Sequence, residues 1–482
     1  MRNILFITIP ELDVAIPPPA AAALQPIVKA AGFHMKMLDL NLELQEALPS
    51  DHWQALINYC ELSSDDLDDG VWSHSRDIMI DRITAMVDSD THMLAVSVFS
   101  IYSIRIAKRI LPLLRQLHPL IPIICGGNGL SSRIDDADAE FGATILAQGW
   151  ADDVIYGEGE AALAALLSGD RSHPGINQPN QIQIDDMDEL PFADYSGIDL
   201  DRYPGKRLLI TGSRGCVRDC TFCDIAKVWG KFKYRSADLL VEEMRRNYYE
   251  TGVSRFEFTD SLINGSTKNF RKFNELLYEA KQKDPALADI TYSGQFICKQ
   301  KSNMVPEIYE LMHLAGCKQI TVGIESFSEQ IRFHMRKKFT NDDIEYHLEQ
   351  CARWAIPNVW LMIVGYPTET KEDHLYTLRC LERWQRYGLM DVISYIRWGL
   401  TMHIYEDTPL SGMMHDLGID AGIHNIRDGL YAWQSTNNPD LTLEERIRRR
   451  LEVHEVSHRL GYKMPIVETE LLSIKALAMG KA

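Results

Sequence analysis

The sequence contains no apolar segment long enough to cross a membrane. Of its 482 residues, 45% are hydrophobic, yet no uninterrupted apolar run approaches the roughly 20 residues that a spanning helix needs. The apolar stretch from Asn3 to Ile9 is too short for a secretory signal and is typical of a first β-strand. We therefore expect no membrane partner and no export.

The nine cysteines lack the paired spacing of a disulfide framework. Their number is odd, and without an export signal a reducing compartment is expected, so we predict a cytoplasmic protein. Positive charge is also scarce, because 50 Lys and Arg are outnumbered by 68 Asp and Glu, which gives a net charge of −18. This balance disfavours nonspecific nucleic-acid binding by the whole surface.

One short segment is strongly basic. The run from Arg446 to Arg450 follows Glu444 and Glu445 at helical spacing. Acidic and basic residues three or four positions apart pair on a helix surface. The pattern therefore predicts a solvated, ion-paired helix face rather than a nucleic-acid patch.

Residues 1–165 alternate short apolar strands with helical patterns. Such βα alternation predicts an α/β, Rossmann-like domain with a parallel sheet, helices on both faces and ligands beyond the carboxyl ends of the strands. Small residues follow these strands and would allow a bulky ligand to approach the backbone. They are Ser97, Ser100, Gly126, Gly127 and Gly157. Glycine turns follow strands in many α/β domains, so this pattern alone is weak.

Three further regions follow. Residues 166–205 are polar and rich in turn formers, which predicts an interdomain linker. From 206 to 400 the alternation resumes with six strand candidates, a number that suits a partial, open (β/α)6 barrel. Residues 401–482 include helical spacing from Leu441 to Leu460, and we expect a helical cap over the barrel mouth.

Three cysteines within eight residues, Cys216-Val-Arg-Asp-Cys220-Thr-Phe-Cys223, carry the most specific signal in the chain. Three thiolates on one loop can bind a [4Fe–4S] cluster and leave the fourth iron open for a ligand that is not protein. The alternative is a set of three buried thiols without function. Structural cysteines usually scatter, as the other six do.

This triplet, with Phe222 before its third cysteine, resembles the signature of the radical S-adenosylmethionine (SAM) superfamily. The resemblance implies that Cys216, Cys220 and Cys223 bind the cluster, that SAM chelates the open iron, and that Phe222 lines the adenine. Further assignments follow from it by position. They are Asp260 and Ser261 for the SAM amino group, Gln295 for the ribose or the substrate, Glu325 for the ribose hydroxyls and Arg235 for the SAM carboxylate. Asp260 as a turn cap and Arg235 as a structural ion pair remain alternatives.

The order of the parts resembles the cobalamin-binding branch of this superfamily. The resemblance implies that the first domain holds cobalamin against the mouth of the radical domain, with Ser97, Ser100, Gly126, Gly127 and Gly157 along the corrin and its nucleotide tail. The chain departs from many such domains because no Asp-x-His-x-x-Gly motif follows the first strand. Either the cobalt has no protein ligand on its lower face, or the domain no longer binds cobalamin.

The resulting hypothesis is a cobalamin-dependent radical SAM methyltransferase acting on an unactivated carbon. It implies a small-molecule or peptide substrate and an electron donor such as flavodoxin or ferredoxin. One alternative is a radical SAM rearrangase or oxidase in which cobalamin is not a methyl carrier or is absent. Another is a noncatalytic iron–sulfur protein, which would not cleave SAM.

Overall fold

The computed structural model describes residues 2–10, 13–61, 66–131, 140–179, 183–405, 408–419, 426–427 and 430–464. The last part of the predicted cap, residues 465–482, lies outside this description. The chain forms two compact units. The first comprises residues 1–210 and 243–253, and the second comprises residues 211–242 and 254–482.

The first unit is built on a five-stranded sheet with the order β2-β1-β3-β4-β5. Its neighbouring strands pair in parallel. The strands are β1 (Asn3–Thr8), β2 (His34–Asp39), β3 (Thr91–Ser97), β4 (Ile123–Gly126) and β5 (Asp153–Ile155). The predicted parallel α/β domain is confirmed, and the strand order reverses between β1 and β3, where sheets of this kind bind ligands.

Among the described residues, seven α-helices accompany this sheet: α1 (Pro19–Ala30), α2 (Leu40–Ala47), α3 (Ser50–Cys60), α4 (Asp69–Met86), α5 (Ile101–Leu117), α6 (Phe141–Ala147) and α7 (Gly159–Leu167). Every residue of β1 is buried, as expected for a parallel strand covered on both faces. On α5, the apolar residues Ile104, Ile110, Leu111 and Leu114 are fully buried in the core. Helical spacing therefore places one face of α5 in the core of the unit.

The residues predicted as a linker, 166–205, lie within the first unit. Polar contacts fix them there. The Tyr203 hydroxyl donates to the Asp39 carboxylate at 3.0 Å, and the Gly205 amide donates to the Ala15 carbonyl at 2.8 Å. Asp39 ends β2 and also accepts from the Thr8 hydroxyl at 2.7 Å. This segment therefore covers the carboxyl ends of β1 and β2.

The second sheet has six strands in the order β13-β12-β11-β10-β9-β6, and β9 to β13 pair in parallel. The strands are β6 (Leu208–Ile210), β9 (Arg255–Phe258), β10 (Thr291–Phe296), β11 (Cys317–Glu325), β12 (Asn358–Val364) and β13 (Ile393–Thr401). A separate antiparallel pair consists of β7 (Ser213–Arg214) and β8 (Lys233–Tyr234). Because strand order follows chain order and β6 and β13 are edges, the sheet is open, as predicted.

The helices after β6 are α8 (Ile225–Trp229), α9 (Ala237–Thr251), α10 (Thr267–Lys283), α11 (Pro306–Ala315), α12 (Glu329–His334), α13 (Asn341–Arg353), α14 (Lys371–Leu389), α15 (Pro409–Gly412) and α16 (Leu443–Arg459). A short antiparallel pair, β14 (Ile426–Arg427) and β15 (Leu430–Tyr431), precedes α16. None of the helices in the described part of the chain is long and apolar enough to span a bilayer.

The basic run on α16 does not form the solvated face that the sequence predicted. Arg446, Arg449 and Arg450 are buried, and only the Arg448 side chain, 52% exposed, lies at the surface. The buried guanidinium groups reach main-chain carbonyls, as when Arg450 donates to the carbonyls of Trp398 and Gly399 at 2.9 and 2.8 Å. The expected pairing is nevertheless present, because Glu445 contacts Arg448 and Arg449.

The polar network around Asp39 generates a first prediction. Tyr203→Phe removes the hydroxyl that donates to the buried Asp39 carboxylate, and an unsatisfied buried acceptor costs about 1–3 kcal/mol. We expect the free energy of unfolding of the first unit to fall by about this amount in urea titrations. Tyr395→Phe, at a tyrosine of β13 that is 41% exposed, serves as the control and should change stability by less than about 0.5 kcal/mol. Equal effects of the two variants would contradict the prediction.

Candidate functional site

The three cysteines of the triplet lie on a loop that the β7–β8 pair closes at its base. Ser213 pairs with Tyr234 and Arg214 with Lys233, so the two ends of the loop formed by residues 215–232 are held side by side. Gly215 opens the loop with φ +79°, and a Cβ there would lie 3.0 Å from the Lys231 carbonyl oxygen. All nine cysteines are free thiols, and only those of the triplet are partly exposed.

The thiols of the triplet are close enough to influence one another. Burial raises the pKa of Cys216 and Cys220, and it raises the pKa of Cys223 to about 11. A thiolate at Cys216 also raises the pKa of Cys220, and thiolates at Cys216 and Cys220 raise the pKa of Cys223. The ammonium group of Lys337 opposes the rise in pKa at Cys216 and Cys220. Ligation to iron requires the thiolate form, so metal binding would release protons here.

The donor set fits an iron–sulfur cluster. Cys216, Cys220 and Cys223 are partly exposed thiols on one loop. In a cubane cluster each thiolate binds a different iron, so three of them would leave the fourth iron open. Within the described ranges, no group of three or more His, Cys, Asp or Glu side chains surrounds a position for a single metal ion.

Thr221, at the centre of the triplet, fixes the path of the loop. Its amide donates to the Met335 carbonyl at 3.2 Å, and its carbonyl accepts from the Leu410 amide at 2.7 Å. Its hydroxyl lies 2.8 Å from the hydroxyl of Tyr366, and both groups are buried. These contacts could not be predicted from local sequence patterns, because the partners follow Thr221 by more than one hundred positions.

Phe222 packs at the margin of a small apolar core. This core is formed by residues that follow β11, β12 and β13, namely Ile331, Met335, Tyr366, Met402, Ile404, Leu410, Ile419, Trp433 and Leu441. The Lys337 ammonium lies 5.9 Å from the centre of the Phe222 ring. The cysteine loop is thus connected to the C-terminal part of the chain by both polar and apolar contacts.

Asp260 follows β9 and is buried, with 3% of its surface exposed. Its carboxylate accepts from the Gly212 amide at 2.7 Å and from Ser213, while burial raises its pKa to about 7. These contacts anchor the chain just before the cysteine loop, which is the capping role that the sequence left open. Its role toward the SAM amino group stays a prediction.

Arg235 lies near the same anchoring point. Its amide donates to the Gly212 carbonyl at 2.8 Å, and its carbonyl accepts from Asn269 at 2.9 Å. Only 4% of Arg235 is exposed, so a SAM carboxylate would have to reach a largely buried side chain. The neighbouring Tyr234 helps to line a small and largely apolar cavity, whose other lining residues are Gly212, Ser213, Phe232, Leu240, Phe258, Asp260, Ile263, Ser266, Asn269, Phe270 and Phe273.

Two other predicted residues lie at strand ends. Ser261 follows Asp260 and is half-buried, and Gln295 lies near the carboxyl end of β10 and is exposed. Parallel strands place these positions at the edge of the sheet that carries Asp260 and Glu325. Nothing in the described contacts assigns either side chain to a ligand.

Glu325 ends β11 in an unusual conformation. Its φ is +64°, a value that strains most residues other than glycine. Its carboxylate pairs with the Lys337 ammonium at 2.9 Å, and Lys337 also donates to the Gly323 carbonyl at 2.7 Å. A Cβ at Gly323 would lie 2.3 Å from Glu325 Oε1, so the glycine makes room for the pair. Lys337 was not among the residues predicted from the sequence, because it follows Glu325 by 12 positions and no motif connects the two.

The first unit brings its predicted residues to one edge. Ser97 ends β3, Gly126 ends β4, and Gly157 follows β5 with φ +72°. These strands are neighbours, so their carboxyl ends share an edge of the sheet. Ser100 is the N-cap of α5, although its side chain makes no capping hydrogen bond.

The glycines at this edge differ in their surroundings. Gly127 has φ +116°, and a Cβ there would lie 2.3 Å from the Val98 carbonyl oxygen, so the two loops touch. At Gly126, by contrast, a Cβ would meet nothing within 4 Å. The edge therefore has open space beside the Gly126 backbone, which we call the Gly126 cradle. His34 begins β2 and lies at the opposite, amino edge.

Comparison with known proteins gives a family for part of the chain. Residues 210–381 match the radical SAM superfamily. An uncharacterised methyltransferase of Pyrococcus horikoshii is 26% identical over 247 residues, which cover 47% of this chain and 52% of that protein. The chain spans about half the length of the curated relatives it matches.

Two solved structures share the fold over most of the chain. The cobalamin-dependent S-adenosylmethionine radical enzyme OxsB, with aqua-cobalamin and S-adenosylmethionine bound, has a TM-score of 0.67 at 14% identity, covering 95% of this chain and 67% of that chain. The radical S-adenosylmethionine methyltransferase TsrM of Kitasatospora setae, with cobalamin and a [4Fe–4S] cluster bound, has a TM-score of 0.62 at 16% identity, covering 87% and 80%.

The raised pKa of Asp260 generates a second prediction. Because the folded protein holds this proton up to about pH 7 and the unfolded chain releases it near 3.8, stability contributed by the site is lost as the pH rises from 4 to 7. Asp260→Asn removes the titrating group. We expect the free energy of unfolding of the wild type, relative to this variant, to fall by on the order of 4 kcal/mol across this range.

The measurement is urea denaturation of the reduced, metal-free chain at several pH values. Asp289→Asn changes an exposed carboxylate and should keep the wild-type pH dependence. Parallel pH profiles for the wild type and Asp260→Asn would contradict the prediction.

Proposed function

We propose that this chain, whose residues 210–381 form a radical SAM domain, is a cobalamin-dependent radical SAM methyltransferase acting on an unactivated carbon of a small-molecule or peptide substrate. The observation that carries the proposal is the loop of three neighbouring, partly buried thiols in this domain. The preceding parallel sheet, with its open edge at Gly126, supports the cobalamin part.

The chemistry would come from three bound groups: a [4Fe–4S] cluster with SAM supplies a 5′-deoxyadenosyl radical, and cobalamin supplies the methyl group. The protein's own contribution is positioning. Cys216, Cys220 and Cys223 would hold the cluster, and the contacts of Thr221 fix the loop that carries them. The alternative, three buried thiols without function, is disfavoured because these cysteines share one loop and are partly exposed, whereas the other six are buried.

Side chains at the strand ends of the second unit would orient SAM. Glu325 offers a carboxylate at the end of β11 for the ribose hydroxyls, with Lys337 as its fixed partner. Phe222, beside the cysteines, offers an apolar face for the adenine. Asp260 and Ser261 remain the candidates for the amino group, and Gln295, exposed near the end of β10, for the ribose or the substrate. Arg235 remains the candidate for the carboxylate, although it is largely buried.

In the first unit, the edge formed by β3, β4 and β5 would hold cobalamin. Ser97, Ser100 and Gly157 lie along this edge, and the close contact at Gly127 keeps two of its loops together. This arrangement favours retained cobalamin over a domain that has lost it.

Methyl transfer is favoured over other radical reactions because both a sequence relative and a structure of the same fold are described as methyltransferases. OxsB is described only as a cobalamin-dependent radical enzyme, so a rearrangase or oxidase is the second candidate. Either reaction needs a one-electron donor, and flavodoxin or ferredoxin is the class we propose.

Product analysis tests the proposal. We expect the chain, reconstituted anaerobically with iron, sulfide and cobalamin and then reduced, to hold about four irons and to convert SAM to 5′-deoxyadenosine and S-adenosylhomocysteine. In Cys220→Ala, both the cluster absorbance and the 5′-deoxyadenosine should fall to background, because one of three ligands is missing.

Cys60→Ala, at a buried cysteine of α3 outside the triplet, is the matched control and should keep both signals. Formation of 5′-deoxyadenosine without S-adenosylhomocysteine would favour the rearrangase or oxidase. An intact cluster that does not cleave SAM would leave only the noncatalytic iron–sulfur protein.

The cradle at Gly126 provides a separate test of cobalamin binding. Since a Cβ there meets nothing within 4 Å, Gly126→Ala should fold, and circular dichroism establishes whether Gly126→Trp folds as well. We expect the alanine variant to retain cobalamin after gel filtration and the tryptophan variant to lose it, because the indole fills the cradle. Equal cobalamin content in the two variants would place the cofactor elsewhere.

A further inference from the structure

A buried ion pair lies beside the cysteine loop. The Lys337 ammonium is 2.9 Å from the Glu325 carboxylate, and the two side chains are only 8% and 11% exposed. Salt in the solvent screens buried charges much less than exposed ones. The positive charge of Lys337 therefore acts at longer range than that of a surface lysine.

The cationic member of this pair lies beside the cysteine loop. The Lys337 ammonium lies 5.9 Å from the centre of the Phe222 ring. Phe222 stands between Cys220 and Cys223 in the sequence. The ammonium end of the ion pair therefore lies beside the segment that carries the cysteines.

The backbone is shaped to hold this pair. Glu325 adopts φ +64°. A Cβ at Gly323 would lie 2.3 Å from Glu325 Oε1 and 3.0 Å from Lys337 Nζ, so the glycine leaves room for both side chains. Lys337 also donates to the Gly323 carbonyl. A side chain at position 323 would therefore displace both members of the pair, and the left-handed backbone of Glu325 is retained beside it.

We propose that Lys337 is a positioning residue that makes the cluster easier to reduce, and that Glu325 opposes it. This inference rests on the proposed function, because it takes Cys216, Cys220 and Cys223 as cluster ligands. Reduction adds one electron and hence one negative charge to the cluster. A nearby fixed cation stabilises the reduced state more than the oxidised one, and a nearby anion does the reverse.

The test is the midpoint potential of the reconstituted cluster, measured by titration followed by electron paramagnetic resonance without SAM or cobalamin. In Lys337→Met, we expect the ratio of reduced to oxidised cluster at a fixed potential to fall roughly tenfold, a shift of about 59 mV for one electron. In Glu325→Gln, we expect the ratio to rise. Lys337→Arg keeps the charge and should restore the wild-type ratio within a factor of about two to three.

The matched control is Lys338→Met, which removes the same charge from the adjacent exposed position and should leave the ratio unchanged. A purely structural role would shift Lys337→Met and Glu325→Gln in the same direction, and that result would overturn the proposal. If Lys337→Met fails to hold a cluster, the rise in Glu325→Gln decides the question alone. A wild-type chain that forms no cluster would instead overturn the proposed function, and this inference with it.

Discussion

The candidate site depends on the fixed backbone between Cys220 and Phe222. Three thiols can share one inorganic core only if the loop that carries them has a defined path, and hydrogen bonds to buried partners define it at Thr221. Each of these contacts is worth only about 1 kcal/mol in isolation. Together they fix the position of the loop, because they connect it to segments that follow β11, β12 and β13. Asp260 adds a further anchor just before the loop.

Much of this organisation could be predicted from the sequence, because it follows from local patterns. Apolar segments with helical intervals predict parallel strands, and parallel strands place the residues after Ser97, Gly126 and Glu325 at carboxyl edges. The triplet predicted its loop because all three cysteines lie within eight residues. In these cases the informative residues are near one another in the chain.

The rest could not be predicted, since it depends on contacts between distant segments. Tyr366 reaches Thr221 across 145 positions, and Lys337 reaches Glu325 only because a helix turns the chain back. The arginines of α16 show the converse problem. Spacing correctly paired Arg448 and Arg449 with Glu445, yet it could not show which face of the helix is covered. Charged residues suggest solvent exposure, but here buried main-chain carbonyls and the Glu369 carboxylate accept hydrogen bonds from the guanidinium groups.

The buried arginines of α16 also constrain how the second unit can move. Arg449 pairs with Glu369 at 2.9 Å in the interior, and Arg450 occupies the carbonyls at the end of β13. Moving α16 away would leave the buried Glu369 carboxylate without its cation, and breaking a buried ion pair in this way costs about 3–5 kcal/mol. The helix therefore neutralises a charge inside its own unit, in addition to the apolar residues Leu443, Ile447 and Val453 that it buries. α16 is for this reason an integral part of the second unit and not a separable appendage.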